Sequence, residues 1–306
     1  FYEILNIGMF YIRLDGSPNY AMMCNATAAI LNILLDYIFI FEFGWGMMGA
    51  AFATSLGTVV GGLMTLVYLM HYSHDLRLYR IKLSRKSLRM TFRNIGYMVK
   101  LGNSAFVSEA SIACMMFLGN YVFIRNLGED GVAAFSIVCY FFPIIFMVYN
   151  AIAQSAQPII SYNFGAGQPE RVRKALRLSL RTALICGICF FILTTLCCRN
   201  IVALFIDRSY SAFDIAVNGI PYFGIGFIFF AINMIGIGYY QSIERGQRAT
   251  IITLLRGVVF MLIGFFVLPP ILGVPGIWLA VPSAELLTTL YIIGIYFKDR
   301  FIVRRR

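Results

Sequence analysis

Charge is scarce in this sequence. Asp, Glu, Lys and Arg make up 13% of its 306 residues, while hydrophobic types make up 60%. A water-soluble fold of this length needs far more polar surface, so a soluble globular domain is excluded and lipid must cover the rest. Histidine is scarcer still: His71 and His74 are the two present, both in one connection. There is no H-E-x-x-H, no G-x-S-x-G and no paired Asp-rich motif, so the chain is not read as an enzyme. Cys186 and Cys189 form a C-x-x-C inside an apolar helix, with no second pair and no nearby His. That removes a zinc ribbon, and no cofactor is expected. RRM, KH and zinc-finger spacings are all missing, so the net charge of +11 is not read as a nucleic-acid footprint.

What the sequence does have is long apolar runs. Eight stretches are long enough to cross about 30 Å of hydrocarbon as helices: residues 21–41, 47–70, 101–124, 133–160, 182–198, 215–241, 249–268 and 276–297. Residues 1–12 read as the end of a preceding one. The fold class is therefore an all-α polytopic membrane bundle. Basic residues alternate between connections. Of 25 Lys and Arg, 21 fall in the segments 13–20, 71–100, 161–181, 242–248 and 298–306. The intervening connections hold only Arg125, Arg199 and Arg208, and Arg256 lies just inside a span. By the positive-inside rule the rich connections and the C-terminus face the cytoplasm. Segment 71–100 is the longest. Its run RLYRIKLSRKSLR (77–89) reads as an interfacial segment on the inner leaflet, linking two helical bundles.

An internal repeat supports two bundles. Gly46 to Ala53 (GMMGAAFA) and Gly273 to Ala280 (GVPGIWLA) share G-x-x-G-x-x-x-A, 227 residues apart. Each follows a polar inner turn, an apolar helix and an outer connection. Parallel repeat halves are a habit of secondary transporters. The second half holds six spans and the first only two and a fragment. By that symmetry about 130–150 further residues are expected before Phe1, which is not an initiator Met.

Ionisable groups inside spans are costly, about 2.5–3.5 kcal/mol at the centre, so each is a candidate for function. Asn32 and Asp36 share a helix face at i and i+4. Thr54 descends from the same outer side, and both Asp36 and Thr54 lie about 8–10 Å deep at the helical rise. Carboxylate, amide and hydroxyl oxygens there suit a proton or Na⁺, or a packing network of polar groups. Glu109, about 12 Å into its span with Ser108 and Ser111 beside it, is a second coupling acid or a structural one. Glu285 lies in the last span. Arg256 either snorkels or bridges an inner gate. Asn150, Gln154 and Gln157 form a polar stripe that lines a cavity or joins helices. Pro143 and Pro158 are expected to interrupt their span, Gly165 and Gly167 to end it, and Glu170 to help start the next helix. The many Phe, Tyr and Met residues suit stacking with lipophilic organic cations.

The runs Arg13-Leu-Asp-Gly16, Asn32-Ile-Leu-Leu-Asp36, Gly46 to Thr54, Ala153 to Pro158, Tyr162 to Gly167 and Gly276-Ile-Trp278 together resemble the MATE (multidrug and toxic compound extrusion) family, nearest its MepA-like bacterial branch. The resemblance implies a twelve-helix transporter of two six-helix lobes around a central cavity. Such a transporter exports drugs or organic cations against H⁺ or Na⁺ and sits, as a monomer, in the plasma (inner) membrane. The spans here are then the fifth to the twelfth. Residues 1–70 are the remnant of the N-lobe, 71–100 the cytoplasmic inter-lobe linker, and 101–306 the C-lobe with its basic tail. Asn32, Asp36 and Thr54 fall on the family's N-lobe cation site, the one place where Na⁺ is expected. Glu109 falls on an acid that one branch carries in the seventh helix. That branch adds an Asp in the tenth, where residues 215–241 hold no acid and Asn233 is the nearest polar substitute. The alternatives are a lipid-linked saccharide flippase of the same superfamily, or a piece that is inactive without the first four helices.

Overall fold

A computed structural model describes residues 1–73 and 84–304. The first part of the interfacial run expected at 77–89 lies outside the described residues. Those residues hold helices and no strand. The chain divides into two compact units, Phe1–Leu88 and Arg89–Arg306.

In the first unit α1 (Tyr2–Leu14) turns at Gly16, whose φ is 87°. Next, α2 (Pro18–Tyr37) starts with Pro at its first position and continues through a π turn, Ile38–Glu42. Then α3 (Gly46–Val67) returns and ends in a second π turn, Tyr68–Tyr72. The contact between α2 and α3 rests on small residues. Gly49, Ala53, Gly57, Gly61 and Thr65 recur every fourth position, and all are buried. A Cβ on Gly57 would lie 2.7 Å from the Ala28 carbonyl oxygen, and one on Gly61 would lie 3.0 Å from the Ala28 Cβ. This stripe brings two backbones together where lipid supplies no hydrophobic drive between helices. Gly57→Val is expected to push the pair apart at a cost of about 1–3 kcal/mol. A lowered melting midpoint in detergent, against an unaltered one for the exposed Phe52→Leu, checks this. At the turn between α1 and α2 the buried Asp15 carboxylate accepts a hydrogen bond from the Tyr68 hydroxyl at 3.0 Å.

The second unit begins in α4 (Arg85–Gly165), which breaks at Gly128 (φ 68°, ψ −156°). As one rod, its apolar stretch Gly102–Gly165 would be about 96 Å long, three bilayer thicknesses. It folds back instead. Phe123 and Phe135 stack at 4.6 Å, and the Phe135 ring covers Gly119. Then come α5 (Pro169–Leu196), the short α6 (Cys198–Ala203), and α7 (Ser211–Gly224) with α8 (Gly226–Ser242), which bend by 42° into one span. Pro221 leaves the Val217 carbonyl without its helical donor. The Cys198 thiol donates to that oxygen at 3.6 Å. Next, α9 (Gly246–Leu254), a π turn (Leu255–Val259) and α10 (Phe260–Leu272) form one span, and α11 (Val274–Arg304) closes the unit.

Six helices are long and apolar enough to cross a membrane, or seven with the bent pair as one. Counting the two arms of α4 separately makes eight among the described residues, at the places expected. The core is aromatic. Trp278 is 1% exposed and stands edge-on to Phe123 at 4.8 Å, and Phe142 stacks on Phe230 at 5.2 Å.

One expectation needs correction. Pro143 and Pro158 do not interrupt the span, because the helix runs through both to Gly165. In a packed apolar helix, neighbouring helices and side chains offset the lost bonds. The helices also extend well into the basic connections. Within 161–181 the turn between α4 and α5 is three residues, 166–168, where Gly165, Gly167 and Glu170 were expected to place it, and 85–100 is already α4. Arg and Lys are good helix formers, so charge marks a membrane boundary without ending the helix. At that turn Gly167 (φ 67°) carries the reversal, and the Gln168 N–H reaches back to the Asn163 carbonyl at 2.9 Å. This is a Schellman-type stop.

The repeat has a structural counterpart. Gly46 (φ 53°) and Gly273 (φ 65°) each precede or open a returning helix. Gly49 packs on the Phe39 backbone and Gly276 on the Leu268 backbone. Ala53 and Ala280 are both fully buried.

Candidate functional site

Among the described residues, each unit holds a polar cluster with an acid inside its apolar spans. In the first unit, the α2–α3 stripe sets the register that places Asn32 beside Thr54. The Asn32 amide donates to the Thr54 hydroxyl at 3.3 Å, and that hydroxyl donates to the Ala50 carbonyl at 3.0 Å. Asp36 stands one turn further along the Asn32 face and is half-buried. Its Oδ1 is buried and accepts no hydrogen bond from the described residues. An unpartnered buried acceptor costs about 1–3 kcal/mol, and more when charged. A proton or a monovalent cation at that oxygen would offset the cost.

In the second unit, α11 carries Glu285 and the adjoining π turn carries Arg256. Both are nearly inaccessible, at 5% and 4% exposed. The Arg256 Nε lies 3.6 Å from Glu285 Oε1, an ion pair just beyond hydrogen-bond length. Other partners complete the guanidinium's surroundings. One terminal nitrogen donates to the Ser111 hydroxyl at 3.2 Å and the other to the Met234 sulfur at 3.5 Å, and its carbon stands 4.7 Å over the Phe230 ring. The other Glu285 oxygen accepts from the fully buried Asn233 amide at 2.6 Å. Thr289 donates to the Asn233 carbonyl oxygen at 2.9 Å. The chain Ser111–Arg256–Glu285–Asn233–Thr289 thus ties the first arm of α4, the π turn, α8 and α11 together. The cavity beside it is about 10 Å³, room for about one water, so no organic molecule fits there.

Asn233, Arg256 and Glu285, which the sequence offered as separate candidates, meet at one point. Glu109 does not join them. It is exposed and makes no ion pair or hydrogen bond with the described residues. Helical spacing explains why. Ser104, Ser108, Ser111 and Met115 recur at three to four residues and are all buried. Glu109 is one residue from Ser108, about 100° around the helix. That periodicity was the available signal for Ser111, which sequence reasoning passed over as a mere neighbour of Glu109. The polar stripe divides as well. The Gln157 amide donates to the Gln241 side chain at 2.7 Å, and Gln241 donates to Ser104 at 2.8 Å. Gln157 is therefore engaged between helices. Asn150 and Gln154 are half-buried and make no hydrogen bond to the described residues.

This architecture has known counterparts. Residues 104–274 match the family model described as MatE. The multidrug export protein MepA of Staphylococcus aureus (strain bovine RF122 / ET3-1) is 26% identical over 304 residues, covering 96% of this chain. The MepA of Staphylococcus saprophyticus is 25% identical over 301 residues. The chain spans 63% of the length of these curated relatives. Among solved structures, an outward-facing multidrug resistance MATE transporter of the MOP superfamily aligns with a TM-score of 0.86 at 22% identity. It covers 99% of this chain and 67% of that one. A MOP superfamily transporter from Pyrococcus furiosus aligns at 0.86 with 21% identity and the same coverage. A match over more than half its length, in a multi-pass bundle with this hairpin repeat, makes the chain a member of the MATE family.

Proposed function

We propose that this chain serves in a cation-coupled antiporter that exports lipophilic organic cations by alternating access across the plasma membrane, with its C-terminus in the cytoplasm. The observation that carries the reading is Asp36. Its buried, unpartnered carboxylate oxygen stands one turn from the bonded pair Asn32 and Thr54, a donor set for H⁺ or Na⁺. In this reading residues 1–70 belong to one lobe and 101–306 to the other, joined by the basic linker 71–100. Ion binding at Asp36 from outside removes negative charge and lowers affinity for a cationic substrate, which leaves. Release of the ion inside restores the charge. The membrane potential supplies about 2.3 kcal/mol per charge per 100 mV, about a 50-fold gradient.

In the second lobe Glu285 takes the coupling role in place of the exposed Glu109, with Arg256 as its counter-charge and Asn233 fixing the carboxylate. Asn150 and Gln154 are the polar groups left for substrate. A saccharide flippase would need free intramembrane positive charge for an anionic head group. Arg256 is already paired with Glu285, which disfavours that reading.

Ethidium efflux from cells expressing the gene that encodes this chain tests the proposal. Faster efflux than in control cells is expected, and it should stop when either the H⁺ or the Na⁺ gradient is collapsed. Equal ethidium retention with and without the gene would sink it.

A further inference from the structure

The second unit holds a cavity of about 330 Å³ that the transport reading does not use, set between α5, α8 and α11. Arg173 and Arg177 line it on α5, Ile232 and Tyr239 on α8, and Ile293 and Tyr296 on α11. Its volume is at the lower end of the range for ligand pockets, about 300–1,000 Å³. The walls are graded. The arginines sit at the end where the chain passes through the turns 166–168 and 243–245, and the remaining lining is aliphatic and aromatic apart from Gly236.

We infer that this cavity binds an anionic phospholipid of the inner leaflet, with its phosphate between Arg173 and Arg177 and part of an acyl chain along Ile232 and Ile293. Charge complementarity selects the occupant. Segments 161–181 and 242–248 carry seven basic residues against two acids, Glu170 and Glu244. Arg173 pairs with Glu170 at 3.1 Å, but both side chains are exposed, at 49% and 82%. Such a surface pair is worth little and yields readily to a phosphate. Arg177 has no acidic partner among the described residues. The same two arginines repel an organic cation, which excludes the exported substrate. The apolar wall offers nothing to a free phosphate. Basic pockets between helices at the inner face are a recognised chemistry for anionic head groups. The inference shares only the membrane topology with the proposed function, and lipid retention is read without transport, so either can fail alone.

Native mass spectrometry of the purified protein in detergent, titrated with dioleoylphosphatidylglycerol or dioleoylphosphatidylcholine, tests it. Retention of phosphatidylglycerol over phosphatidylcholine is expected in the unaltered protein. Arg173→Gln with Arg177→Gln should weaken phosphatidylglycerol binding about ten-fold. Arg171→Gln with Lys174→Gln, which removes equal charge from the same helix outside the cavity, should leave it within about two-fold. Ile293→Trp, which fills the cavity and changes no charge, should also weaken it. Equal weakening by both charge-removing pairs would reduce the effect to diffuse surface attraction and overturn the site. So would the absence of a preference for phosphatidylglycerol, or undiminished binding by the Ile293→Trp protein.

Discussion

Asp36→Asn is expected to reduce ion-driven ethidium efflux by ten-fold or more while leaving the protein's expression and melting midpoint close to those of the unaltered chain. The argument is one of charge at constant shape. Asn fills the same volume and keeps an acceptor oxygen, but it can neither take up a proton nor carry negative charge. Hydrogen bonds and contacts to a charged group contribute about 1.5–3 kcal/mol, which is about a 10- to 150-fold effect on ion occupancy. Folding loses little, because Asp36 Oδ1 makes no hydrogen bond that the substitution breaks. Thr54→Ala removes one neutral bond from the pair at 3.3 Å. That bond is worth about 1 kcal/mol, so Thr54→Ala should shift apparent ion affinity about five-fold and leave maximal efflux intact. Both variants are read in inverted vesicles by varying the imposed H⁺ or Na⁺ gradient at fixed ethidium. If Asp36→Asn vesicles respond to the gradient as the unaltered ones do, Asp36 is not the coupling acid and the Asn32–Thr54 bond is packing alone.

The spans were legible because a bilayer imposes a length on them. Twenty apolar residues between charged ones leave few alternatives, and the eight stretches fall where the helices do. The hairpin repeat was legible for a related reason: close helix approach needs small residues, and Gly49 and Gly276 are two that a larger residue could not replace. What the sequence concealed was register and rotation. Arg256 and Glu285 are 29 residues apart on neighbouring spans, and no spacing rule says that two such groups will meet. Part of the reason is local. Arg256 sits in a π turn, Leu255–Val259, which holds one more residue per turn and so rotates the face that follows. Glu109 stands off the buried cluster for a simpler reason. Depth along the helix does not fix the angle around it, and the serines at 104, 108 and 111 mark the buried face. The Gly128 break falls inside the connection 125–132 that separates two of the expected spans. The stretch 125–132 carries charges and reads as a loop, yet a single glycine conformation makes the reversal between two otherwise intact helical arms.

The second large effect is expected at the buried pair. Glu285→Ala should destabilise the protein by about 3–5 kcal/mol, seen as a sharply lowered melting midpoint in detergent and reduced yield. Without Glu285 the guanidinium of Arg256, 4% exposed, keeps only a serine hydroxyl, a thioether and a ring face. None of these carries the opposing charge. The Asn233 amide loses its 2.6 Å carboxylate acceptor at the same time, although it keeps the Glu285 backbone carbonyl at 2.8 Å. Removing both charges is a different experiment. In Arg256→Met with Glu285→Leu no buried charge is stranded, and the new thioether lies against Phe230 and Met234, a favourable sulfur–aromatic setting. Replacing a buried pair by apolar groups of similar volume is often neutral or stabilising, so the double variant should melt within about 1 kcal/mol of the unaltered protein. Equal destabilisation by the single and double variants would show that the pair matters for shape and not for charge compensation. The double variant is nevertheless expected to export ethidium poorly, since it has lost the acid proposed to exchange an ion in the second lobe. A protein that is stable without the pair and inactive without it would place the reason for burying two charges in transport, because stability does not require them.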